Sequence, residues 1–200
     1  QCKRSIGWFE LIMELGLIAF FVLSYVFWPT ELLGWVEISQ FIVWLLIGVV
    51  LAMLFAYDAK WYLLPDILNI ALTVLGVTFV VLSSIHGSTW EVIISAISSV
   101  GILAGLYWLL HVISKGRWVG FGDVKLGVGL GLILIHWELA LVALFAANFI
   151  GCLLVLPLLL IGKLKRQSRV PFGPLLIVGT LVAFFFGAPI IDWYVGLLVL

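Results

Sequence analysis

Residues 38–60 read ISQFIVWLLIGVVLAMLFAYDAK, and the run from Phe41 to Tyr57 carries no charge at all. A helix needs about 20 predominantly apolar residues to cross a hydrocarbon layer of about 30 Å, so this stretch predicts a membrane span over 38–57. Working outward, further apolar runs lie near 8–28, 66–85, 91–114, 123–137, 139–162 and 172–188. The expected fold is therefore all-α: a polytopic transmembrane helical bundle of about seven spans, forming a single domain over 1–200. The fifth run is short and carries Gly127, Gly129 and Gly131, a pattern suited to tight helix packing. Pro189 to Leu200 is too short to span alone.

Composition agrees. Hydrophobic residues make up 65% of the chain and charged residues 10%, whereas soluble domains use roughly 45–50% apolar residues. The formal net charge is zero, with no acidic or basic tail to suit nucleic acid. The partner that composition implies is the lipid bilayer. No repeat or linker divides the chain.

Alternating the loops between two sides collects all ten basic residues on one: Lys3, Arg4, Lys60, Lys115, Arg117, Lys125, Lys163, Lys165, Arg166 and Arg169. The other side receives Glu31, Glu37, Glu91, Glu138 and Asp192. The positive-inside rule then puts the N-terminus in the cytoplasm. Trp8, Trp61 and Trp118 read as anchors at the inner interface, and Trp28, Trp35, Trp90, Trp137 and Trp193 at the outer. Cys2 and Cys152 are too few for a disulfide framework or a complete zinc site, and His86, His111 and His136 are scattered, so no metal site is expected. Gln1 stands where Met would open a chain and no leader pattern precedes the first run, which suggests a chain cropped upstream.

Against this background two acids stand out. Asp58 closes the second span and Asp123 opens the fifth, in Gly120-Phe121-Gly122-Asp123-Val124-Lys125. An acid inside a bilayer costs about 2.5–3.5 kcal/mol. The two intervening spans return the chain to one side, so both acids can meet at one depth near the cytoplasmic face. There a low-dielectric wall favours sharing one proton, and such a dyad can activate water. Helix ends suggest a division of labour: Asp58 at a C-terminus holding the proton, Asp123 at an N-terminus as the anion. Gly120 and Gly122 leave room for backbone or substrate. Each acid also has a plainer reading, Asp123 as a helix cap with Lys125 as a topological anchor, and Asp58 as a loop acid beside Lys60.

Together, Asp58 with Leu64-Pro65-Asp66, Gly120 to Lys125, and Pro171-Phe172-Gly173-Pro174 after a basic loop resemble the bacterial type IV prepilin peptidases, GxGD-type membrane aspartyl proteases. That resemblance implies Asp58 and Asp123 as the catalytic pair. It implies cleavage of prepilin or pseudopilin leaders at the cytoplasmic face of the bacterial inner membrane, in type IV pilus or type II secretion systems. Proteolysis would need no cofactor. Methylation of the new N-terminus with S-adenosylmethionine is a second activity that the resemblance allows. The family also implies a preceding span and a cytoplasmic domain, often with two Cys-X-X-Cys pairs that bind zinc; neither pair occurs here.

Further candidates for shaping the site or binding substrate are Lys125, Pro65, Asp66 and Glu14. Asp66 after Pro65 suits a helix start, with a peptide-orienting contact as the alternative. Glu14 lies a turn deeper than Glu10 on the first span and either finds a structural partner or lines the site. Lys163 to Arg169 reads as an anchor on anionic lipid. Presenilin-like proteases share Tyr-Asp and Gly-X-Gly-Asp, but here two spans separate the acids and no Pro-Ala-Leu follows. A proton-coupled or ion transporter using the acids as a relay is the alternative from another functional class.

Overall fold

A computed structural model describes residues 7–85, 88–162 and 171–198. Gln1, Cys2, Lys3, Arg4, His86 and the basic loop Lys163 to Arg169 lie outside them. The fold is seven helices: α1 Trp8–Val26, α2 Trp35–Trp61, α3 Asp66–Ser84, α4 Thr89–Ser114, α5 Phe121–Leu134, α6 Trp137–Leu160 and α7 Phe172–Leu198. Six are long and apolar enough to cross a membrane; α5 is not. Its 14 residues rise only about 21 Å at 1.5 Å each.

Short as it is, α5 lies at the centre, packed against α3, α4, α6 and α7. Its glycines are what admit it. A Cβ on Gly127 would come within 3.1 Å of the Ala104 Cα, and one on Gly131 within 2.6 Å of the Val100 Cα, so α4 and α5 touch backbone to backbone. On the opposite face Gly129 leaves room for Leu72 of α3, whose Cδ2 would lie 2.7 Å from an added Cβ. Close approach of this kind replaces the hydrophobic effect, which gives little drive between helices already in lipid. For the same reason the exterior is rich in exposed Ile, Leu, Val and Phe.

The end of the bundle where α2 begins is closed by aromatic rings. Trp44 is fully buried, stacked on Phe184 of α7 at 3.7 Å between centroids and tilted against Phe20 of α1 at 5.4 Å. Its Nε1 donates to Ser24 Oγ at 2.8 Å, satisfying a polar atom that would otherwise be costly there. Trp28, expected as an interfacial anchor, instead turns partly inward against Phe41 at 4.9 Å.

Two boundaries differ from the sequence expectation. Asp58 lies within the last turn of α2, because Ala59, Lys60 and Trp61 continue the helix. The break comes at Tyr62, in the left-handed region with φ 54°, where its N–H bonds the Asp58 carbonyl at 2.9 Å. Pro65 then disfavours helix at Leu64 and caps α3 with its carbonyl, which accepts from Leu68 and Asn69. At the other end, α7 runs through Pro189 to Leu198. A proline inside a membrane helix is tolerated where neighbouring helices and local adjustment of the turn re-satisfy the freed backbone groups.

The glycine contacts predict opposite responses to one methyl group. Gly131→Ala overpacks the α4–α5 contact and lowers stability by about 1–3 kcal/mol. Gly101→Ala, facing open space on α4, leaves stability unchanged or raises it by up to about 1 kcal/mol. Thermal unfolding of both variants in the same detergent checks this pair.

Candidate active site

Ile47, Leu51, Leu54 and Asp58 are all buried on α2, at the three- and four-residue spacing of a single helix face. The inward stripe that packs the core therefore ends in a carboxylate, 6% exposed. A buried acid needs donors. One comes from the start of α7, where the Gly173 N–H donates to Asp58 Oδ2 at 2.9 Å. That N–H is among the first few of its helix, which have no partner inside it. A Cβ at Gly173 would stand 2.7 Å from the same oxygen, so only glycine lets the carboxylate reach the backbone undisturbed.

Asp123 is held by its own helix. It occupies the first turn of α5, where Oδ2 accepts the Gly120 N–H at 3.1 Å and its own N–H donates to the Gly120 carbonyl at 3.2 Å. The side chain is half-buried and lies within electrostatic reach of Asp58. Both carboxyls thus sit at a helix N-terminus, Asp58 at that of α7 and Asp123 at that of α5. The helix-end argument, which assumed only the C-terminus of α2 beside Asp58, does not separate their roles.

The surrounding candidates take distinct places. Gly122 lets Leu64, from the α2–α3 connection, lie against the first turn of α5, with Leu64 Cβ 3.2 Å from an added methyl. Gly120 has ordinary extended geometry, φ −72° and ψ 153°, and only Asp123 and the Gly122 backbone N near it. Lys125 reaches across to Asp66 at 2.7 Å, tying α5 to α3, while Pro65 starts α3. A groove of about 350 Å³ opens beside that pair, lined by Asn69, Ile70, Thr73 and Val128 as well. Glu14 is exposed on α1 and makes no hydrogen bond or ion pair with the described residues. Its neighbour one turn earlier, Glu10, bonds Lys60 at 2.9 Å.

Two contributors were not recognised as such in the sequence. Gly173 stood out only as part of Pro171 to Pro174, with nothing to indicate that its N–H meets an acid 115 residues earlier. Tyr107 went unnoticed among the apolar residues of α4; it is buried, with its ring 5.2 Å from that of Phe172. His111 holds the loop that leads to Asp123, with Nδ1 2.8 Å from the Val119 carbonyl.

The profile of the type IV leader peptidase family matches residues 41–156, which is more than half of the chain and includes both aspartates. The chain belongs to the type IV leader peptidase family. Among curated members of this leader peptidase family, a prepilin leader peptidase/N-methyltransferase of Aeromonas hydrophila is 30% identical over 161 residues, covering 80% of this chain and 53% of that protein. One of the same description from Legionella pneumophila is 30% identical, covering 77% of this chain and 51% of its own length. Leader peptidase HopD of Escherichia coli is 32% identical over 127 residues, 62% of this chain and 79% of that protein. The chain thus spans about half the length of the first two relatives. No solved structure matches it. With six long apolar helices, this leader peptidase family member is a multi-pass membrane protein. Among the described residues no group of three or more His, Cys, Asp or Glu is arranged to hold a metal ion. Cys152 is a lone exposed thiol, so these residues do not fit the zinc that the family resemblance raised.

The Lys125–Asp66 pair is a connector with little energy in it, since its side chains are 37% and 68% exposed. A double-mutant cycle with Lys125→Ala and Asp66→Ala is expected to give a coupling below about 1 kcal/mol in thermal or chemical unfolding.

Proposed function

We propose that the chain is a membrane aspartyl endopeptidase that cleaves the leader peptide of type IV prepilins or pseudopilins, with Asp58 and Asp123 as the catalytic pair. The observation that carries this reading is the convergence of two carboxyls from α2 and α5 at one end of the bundle, each on a backbone N–H. The family membership and the names of the relatives support it. On this reading the protein works at the cytoplasmic face of a bacterial inner membrane, where a membrane-anchored substrate presents its leader.

The chemistry follows from the pair. One carboxylate takes a proton from water as the water oxygen bonds the scissile carbonyl carbon. The protonated partner then gives its proton to the leaving amine as the carbon–nitrogen bond breaks. The low-polarity surroundings of Asp58, with Leu54 above it and Gly173 beside it, strengthen every electrostatic interaction at that point. Leu64 seated against Gly122 holds the first turn of α5 against the α2–α3 connection and so sets Asp123 relative to Asp58. N-methyl transfer is named for the longer relatives of Aeromonas hydrophila and Legionella pneumophila.

A transporter is not supported. Among the described residues the buried polar or charged side chains are Ser24, Asp58, Asn69, Ser99, Ser114 and Thr180. No further carboxylate, lysine or histidine continues inward from the pair as a proton relay needs.

Two sets of substitutions test the reading in a leader-cleavage assay with the full-length protein. Asp58→Asn and Asp123→Asn each lower kcat by about 10²-fold or more without loss of helical structure; near-normal turnover by either removes the dyad. Gly173→Ala pushes the Asp58 carboxylate off its backbone donor and lowers kcat about 10-fold or more, while Gly101→Ala leaves it unchanged.

A further inference from the structure

Among the described residues four buried side-chain polar atoms have no hydrogen-bond partner: Trp28 Nε1, Asn69 Oδ1, Ser99 Oγ and the Tyr107 hydroxyl. Trp28 belongs to the aromatic cluster at the other end of the bundle, and Ser99 lies two turns further along α4 from the carboxyls than Tyr107. Asn69 lines the groove between α3 and α5 and places its amide N–H 3.4 Å from the Pro65 carbonyl. Tyr107 alone is set between the two elements that carry the carboxyl contacts.

The register of α4 against α5 fixes its level. Val100 meets Gly131 and Ala104 meets Gly127, and His111 meets the Val119 carbonyl. These helices run antiparallel, so one turn beyond Ala104 falls opposite one turn before Gly127, and Tyr107 stands beside Asp123 and Val124. From the other side its ring packs on Phe172 at 5.2 Å, the residue preceding the glycine that bonds Asp58. The side chain is 3% exposed. Asp123 lies within electrostatic reach, and the Asn148 amide of α6 stands at the margin of a hydrogen bond to the hydroxyl; one of that amide's two N–H groups goes to the Leu144 carbonyl at 2.7 Å, and no contact to the Tyr107 hydroxyl meets full hydrogen-bond geometry.

A buried hydroxyl with no partner is a cost to the fold, since its desolvation is not offset by a hydrogen bond. A phenyl ring would fill the same space against Phe172 without that cost. The hydroxyl is therefore free to serve a group that arrives with the substrate, and a neutral O–H is the donor that a low-polarity site can hold ready.

We propose that Tyr107 donates a hydrogen bond to the carbonyl oxygen of the scissile peptide as that oxygen gains negative charge. The inference rests on the proposed peptidase function. When the water oxygen bonds the carbonyl carbon, the π pair moves onto the carbonyl oxygen and the Tyr107 O–H steadies it. The proton leaves water for one carboxylate, Tyr107 keeps its own, and collapse of the intermediate breaks the carbon–nitrogen bond as the protonated partner carboxyl gives its proton to the amine.

The test is Tyr107→Phe in the full-length protein, with kcat, KM and the thermal unfolding midpoint measured beside the wild type, Asp123→Asn and Asn148→Leu. The expected result is a kcat lowered about 10²-fold, KM within about twofold, and a melting temperature unchanged or raised. Asn148→Leu should keep the wild-type kcat. A wild-type kcat in Tyr107→Phe overturns the assignment while leaving the peptidase reading intact, provided Asp123→Asn is inactive. Parallel losses of stability and kcat in Tyr107→Phe and Asn148→Leu also overturn it, because the hydroxyl would then belong to a structural pair with Asn148. Retained cleavage by Asp123→Asn removes both readings together.

Discussion

The hydrogen bond from the Gly173 N–H to Asp58 is the interaction on which the arrangement turns. A carboxylate at the end of a buried helix stripe is largely shielded from water, and a helix starting at Phe172 has amide groups with nothing inside the helix to accept them. Each deficit answers the other. The bond joins α2 to α7 and brings Pro171-Phe172-Gly173-Pro174 to the reaction centre. It also turns the ring of Phe172 toward Tyr107. Remove the glycine and the acid must move, because the added methyl occupies the oxygen's place.

A second constraint is volume. α5 is too short to span by itself and holds its position by contact on all sides. The absence of side chains at Gly127 and Gly131 sets its distance from α4 and also its register. Register has chemical consequences here, since a slide of one turn would move Asp123 away from Tyr107 and the Gly120 loop away from His111. Dispersion and backbone proximity thus do what charge pairing does elsewhere. The ion pair of Lys125 with Asp66 beside the site is exposed and weakly coupled.

Much of the fold was legible in the sequence because a bilayer forces long apolar runs, and every one of the seven proposed runs is a helix. Their ends were less so. Asp58 reads as the first residue outside a span, but a helix does not stop at a charge; it stopped at Tyr62, before a proline. Pro189 reads as a terminator and is not one. At the site, Asp58, Asp123 and the Gly120 to Asp123 turn were visible because an acid beside apolar runs demands an explanation. Gly173 and Tyr107 were not, since a backbone N–H has no letter of its own and a tyrosine on an apolar helix reads as packing. Glu14 attracted notice by depth alone, and depth does not say which way a helix faces. The assignment of a proton donor from helix ends omitted α7, whose start is distant in sequence and adjacent in space.

That distance has a consequence for how the protein is made. Asp58 and its donor are 115 residues apart, which at about 5–20 residues per second is roughly 6–23 seconds of synthesis. By the end of that interval α2 to α6 are in hand with both aspartates, and the centre still lacks the backbone group that orients one of them. The helix that emerges after α2 to α6 is the one that completes it. A ribosome-bound chain would therefore hold the acids without their geometry, and the moment at which α7 docks sets when a newly inserted molecule acquires a finished active centre.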